Sequence, residues 1–151
     1  MRWLGLALMA LSFLMLIALL TGSAHAQPIH VDEMNGGGGS SPLVAVAMRY
    51  VGSNPTGRSH KWCGTFLDLA LRQSGHSGGG DLARGYSAYG RPSPARVGAI
   101  AVMAHHVGIV TAVGPGYVTL VSGNHSGRSG HRTVGLGRYS MARIIAFRYP
   151  A

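Results

Sequence analysis

Cys63 is the only cysteine among the 151 residues, and its neighbours set the chemistry open to it. Gly57 to Lys61 is small, polar and basic and reads as loop. From Trp62 the pattern changes, with Cys63, Phe66, Leu67, Ala70 and Leu71 recurring at i, i+3, i+4, i+7 and i+8. Gly75 supplies a C-terminal stop. The spacing predicts a helix that starts at the cysteine, with the thiol in its first turn on the core-facing side. Unpaired N–H groups and the positive end of the helix dipole lie there, and both favour a thiolate over a thiol. A nucleophile needs that setting, together with a base and a group that holds the base.

Two further stretches carry candidates for those roles. His105-His106 opens an apolar run, and alternation separates its faces: if Val107 and Ile109 face one side, His106 and Gly108 face the other. His106, at the mouth of that strand, is the expected base, and the assignment can slip by one residue to His105. Asn124 and His125 end the following strand, which an antiparallel hairpin brings beside the start of the first. Asn124 is the expected orienting residue, with His125 the alternative. The Cys63 backbone N–H and a donor from Ser59 or His60 are expected to hold an oxyanion. Trp62, His60 and His105 are the expected substrate contacts, with Trp62 as a groove wall.

Each of these residues also has a plain structural reading. A single cysteine is on generic grounds a small core residue, a strand-end histidine is commonly structural, and Gly-Asn is an ordinary turn pair. A zinc site built from Cys63, His105, His106 and His125 has suitable donor chemistry, but no C-x-x-C or H-x-x-x-H spacing supports it. The expectation is therefore no metal and no cofactor.

The elements that must position these residues follow along the chain. Ser40 or Ser41 caps a first helix, with Pro42 in its first turn and Leu43, Val44, Ala47, Met48 and Val51 at the helical period. Gly52-Ser53-Asn54-Pro55 ends it. After the Cys63 helix, Leu82 to Tyr89 reads as one or two helical turns, and Gly90 to Pro94 as a break. Strand candidates then run Val97–Met103, His106–Val113, Tyr117–Ser122, Arg132–Val134 and Ile144–Tyr149. Helices first and strands after predict an α+β domain, with N-terminal helices packed on one face of a roughly five-stranded antiparallel sheet.

Ahead of this domain stands a segment of another kind. Met1-Arg2-Trp3 is a basic start, Leu4 to Leu20 is apolar, and Ala24-His25-Ala26 is a small-residue exit. That layout is a secretory signal over residues 1–26, an uncleaved N-terminal anchor being the alternative. Residues 27–41 hold Gly36-Gly37-Gly38-Gly39-Ser40-Ser41 and read as a flexible tether. The domain proper spans 42–151, with no transmembrane span expected in the mature chain. The protein is expected to be exported, to the periplasm or beyond. Removing Arg2 lowers the formal charge from +9 to +8. An exported domain this basic is attracted to polyanions, of which anionic wall polymer is nearest to hand. Aromatic residues make up 7% of the chain and no cluster of five basic residues occurs, which argues against nucleic acid. Composition does not set the oligomeric state.

Trp62-Cys63 opening an apolar helix, His106-Val107-Gly108-Ile109-Val110 on a strand, and Val121-Ser122-Gly123-Asn124 after a hairpin resemble the NlpC-type and CHAP-type cell-wall cysteine hydrolases. The resemblance spans Ala45 to Pro150 and is nearest to small single-domain members. It implies a papain-like α+β core and hydrolysis of amide bonds in peptidoglycan, as an endopeptidase or amidase. Cys63 is then the nucleophile, His106 the base and Asn124 the orienting residue. Arg96-Val97-Gly98-Ala99 stands where that family usually carries an acid. A non-catalytic wall-binding module on the same fold, or a thiol acyltransferase, are the alternatives.

Overall fold

The computed structural model describes residues 41–126 and 130–151; the signal-like segment and all of the tether but Ser41 lie outside the described residues. Helix α1 spans Pro42–Met48 and helix α2 spans Cys63–Gln73. A 3-10 helix at Ala83–Ala88 follows. Six strands come next: β1 Arg91–Pro92, β2 Ile100–Val102, β3 Val107–Gly114, β4 Tyr117–Ser126, β5 Arg132–Ser140 and β6 Ala146–Tyr149. They form one sheet in the order β1-β6-β2-β3-β4-β5, with every pairing antiparallel. The fold is α+β. No helix among the described residues is long and apolar enough to cross a membrane.

Helix α2 starts and stops where its apolar spacing places it. Phe66 donates its N–H to Trp62 O at 2.9 Å, which closes the first turn on Cys63. Leu43, Ala47, Trp62, Phe66, Leu67 and Leu71 are buried against Ile100, Val102, Val107, Ile109 and Val121 on one face of the sheet. A second cluster lies on the opposite face, where Ala99, Ala101, Met103, Val110, Val118 and Leu120 sit under Tyr139, Met141, Ile144, Phe147 and Tyr149. Strands buried on both faces explain why β2 and the first half of β3 read as continuous apolar runs instead of alternating ones.

The strand bounds differ from the sequence expectation: β2 and β6 are shorter, β4 runs on to Ser126, and β5 and β1 depart most. β5 runs to Ser140, not Val134, because Gly135 and Gly137 weaken its sequence signal while serving its packing. A Cβ at Gly135 would lie 2.6 Å from the ring of His125, and one at Gly137 3.3 Å from it. β1 falls inside the Gly90–Pro94 break, as a two-residue edge where proline costs the ladder little.

Candidate functional site

Helix α2 presents Cys63 at its first position, and the first-turn N–H groups have no intrahelical partner. The helix begins there because Trp62 and Phe66 anchor it edge-to-face, with ring centroids 6.5 Å apart. Trp62 is fully buried in that anchor, so it is core and not the groove wall expected of it. Its size and apolar face place it beneath the sheet, where Gly123 leaves room for its ring. His60 is exposed, hydrogen-bonds through Nδ1 to Ser59 Oγ at 2.9 Å, and lies outside the lining of the cleft at Cys63.

That cleft has a volume of about 420 Å³. Cys63, His105 and Asn124 all line it, with Lys61, Leu82 and Arg84 around them. Its wall on the 3-10 helix side is held by several contacts. Arg58 pairs with Asp81 at 2.7 Å, tying the loop before α2 to the loop before the 3-10 helix. The buried Tyr86 hydroxyl donates to Gly64 O at 3.2 Å and Gly80 O at 2.9 Å. Leu82 is 77% exposed, an apolar surface at the cleft with nothing packed over it.

Hairpin geometry decides which histidine lines the cleft. Val102 pairs with Val107, and Met103 donates its N–H to His106 O at 2.9 Å. Residues opposite one another share a face. Met103 belongs to the cluster away from α2, so His106 points away from α2 with it. Its Nε2 lies 2.9 Å from Ser122 Oγ and 3.3 Å from the Tyr139 hydroxyl, and its ring stacks on Tyr139 with centroids 5.5 Å apart. Burial pushes its pKa down to about 4, and the charges of His125 and Arg143 add to that. His105 occupies the turn before it and lines the cleft with Cys63. His106 is thus absent from the lining of the Cys63 cleft where it was expected, and His105, of the same parity as Val107 and Ile109, lines it instead.

Asn124 reaches the cleft through a break in β4. The register between β4 and β5 shifts between Ser122 and His125, and Asn124 adopts φ 58°. Without that bulge it would follow Ser122 to the far face. Its Oδ1 is buried and has no hydrogen-bond partner among the described residues. Lys61 has φ 54°, and these two are the non-glycine positive-φ positions among the described residues. Both line this cleft. Left-handed backbone at such residues costs energy and concentrates at functional sites. No sequence signal marks Lys61, Leu82 or Arg84 as cleft residues; only the loop contacts bring them there.

The donor set considered for zinc is divided between the faces, with Cys63 and His105 at the cleft and His106 beside Ser122. No group of three or more candidate ligands converges among the described residues. Compared with known proteins, the chain matches no family model and no curated protein.

Proposed function

We propose that the protein is an exported cysteine hydrolase of peptidoglycan amide bonds, with the papain-like arrangement of the NlpC-type and CHAP-type enzymes it resembles. The observation that carries this reading is the convergence of Cys63, His105 and Asn124 on one open cleft. The thiol sits at a helix start, His105 is exposed in a hairpin turn, and Asn124 brings a buried carbonyl oxygen with no partner among the described residues.

His105 takes the Cys63 proton, and the thiolate attacks the amide carbonyl carbon. The negative charge on the carbonyl oxygen is met by first-turn N–H groups of α2. The imidazolium passes its proton to the departing amine as the C–N bond breaks, leaving a thioester on Sγ. Water then attacks the thioester with His105 again as base, releasing the carboxylic acid and the thiol. Asn124 Oδ1 accepts from the second ring nitrogen and holds the imidazolium in place. His106 stays neutral on the other face of the sheet.

Digestion of purified peptidoglycan tests the reading. Wild type is expected to release soluble fragments with new amino and carboxyl termini, and Cys63→Ala to release none while keeping its near-ultraviolet circular dichroism. A Cys63→Ala protein as active as wild type would falsify the proposal. Wall binding without fragments from either protein would instead support the non-catalytic alternative.

A further inference from the structure

The face of the sheet away from α2 holds a second cavity, of about 280 Å³, lined by Met103, Ala104, His105, His106 and Arg143. Its lining His106 and Arg143 are joined by polar groups behind them on two further strands. His106 stands at the start of β3, and its Nε2 faces the hydroxyls of Ser122 on β4 and Tyr139 on β5. Its Nδ1 has no hydrogen-bond partner among the described residues. Arg143 ends the short 3-10 helix Met141–Arg143, with its guanidinium 5.7 Å from the Tyr139 ring centroid. His125 lies on the glycines of β5, close enough for its charge to act on His106.

No carboxylate balances this group among the described residues. Asp68 is bonded to Arg72 on α2 and Asp81 to Arg58 beside the Cys63 cleft. Burial first, and then His125 and Arg143, which can add only positive charge, hold the His106 imidazole neutral. Such a site repels a metal ion and attracts an anion. Arg143 offers a planar fork of donors, which suits an oxyanion with several acceptor oxygens. With Nε2 accepting from a neighbouring hydroxyl, His106 Nδ1 carries the ring proton and adds a second donor, and a tetrahedral ion has acceptors for both.

We propose that this cavity binds a phosphate-class oxyanion, either free or as a phosphomonoester, held between Arg143 and His106. The bound ion supplies the missing negative charge and raises the proton affinity of His106. The cavity shares Ala104 and His105 with the lining of the Cys63 cleft, but the ion is held by Arg143 and His106, and its binding is read without any hydrolysis.

The test is nuclear magnetic resonance of the histidine ring signals in the full chain. Inorganic phosphate is titrated in one arm and glycerol 3-phosphate in another, with sodium chloride at matched ionic strength as reference. A saturable shift of the His106 signals, with its titration midpoint moved to higher pH, is expected with phosphate. Arg143→Gln should weaken that response at least tenfold, and the exposed Arg91→Gln should leave it unchanged. A response to phosphate alone assigns the site to the free ion, and a response to both assigns it to a phosphoryl group. If chloride reproduces the shift, or Arg143→Gln binds as wild type does, the proposal is overturned.

Discussion

Cys63, His105 and Asn124 are individually ordinary residue types, and their placement sets them apart. The base assignment yields a direct comparison of neighbouring histidines. His105→Ala should lower kcat for wall hydrolysis about 100-fold or more, the range of a lost general base. His106→Gln should keep kcat within about tenfold of wild type per folded molecule. The reverse order, read from single-turnover kinetics, would return the role to His106. The burial of His106 also predicts a pH effect on stability. Its folded pKa lies near 4, below the ordinary value of 6.5. Below pH 6.5 the unfolded chain therefore binds a proton that the native protein refuses, so stability falls as pH drops and the loss is complete below about pH 4. The full effect is at most about 3.5 kcal/mol by the free-energy equivalent of a pKa unit. His106→Gln should flatten the urea-midpoint curve over that window, and a curve unchanged by the substitution would remove the assignment.

At the scale of elements, the Cys63 helix and strand β4 meet where Gly123 faces Trp62 and Phe66. A Cβ at Gly123 would lie 2.6 Å from Phe66 Cβ and 2.7 Å from the Trp62 ring. Both neighbours are fully buried and cannot yield cheaply. Gly123→Ala should therefore cost about 1–3 kcal/mol, the usual range for overpacking, and should displace Cys63 relative to Asn124. Denaturation together with activity per folded molecule checks this. A variant with wild-type stability and activity would show that the helix-to-strand distance does not set the site. Gly64 has a comparable part, since a Cβ there would collide with the Asp81 carbonyl and part α2 from the loop that walls the cleft. Neither glycine is needed for a left-handed turn; both are needed for close approach.

For the whole molecule, a formal charge of +9 comes with only four acids in the sequence to offset thirteen lysines and arginines. Asp68 is held below the ordinary carboxylate range, first by its hydrogen bond to Arg72 and against the opposing effect of burial. The remaining cations include Arg96 and Arg138, stacked 3.7 Å from the ring centroids of Tyr149 and Tyr117. Binding to an anionic wall polymer should accordingly weaken several-fold between roughly 50 and 300 mM salt, as expected when the screening length shrinks. It should do so equally in wild type and Cys63→Ala, measured by co-sedimentation with purified wall. Salt-independent binding would mean that surface charge plays no part.

Much of this arrangement was legible in the linear order of residues. Apolar spacing placed the Cys63 helix, helices before strands announced the α+β class, and alternation in Val107-Gly108-Ile109 divided its neighbours between two faces. These features are local: each follows from side-chain period and backbone sterics within a few residues. Three others depended on distant partners. β5 outran its sequence signal because the glycines of that strand make room for His125. Trp62 left the groove because burying its ring against Gly123 outweighs exposing it. His105, not His106, lines the cleft with Cys63 because it shares the parity of Val107 and Ile109, whose side α2 covers. Packing against α2 settled that choice, and the alternation rule alone names two faces without saying which one the helix will cover.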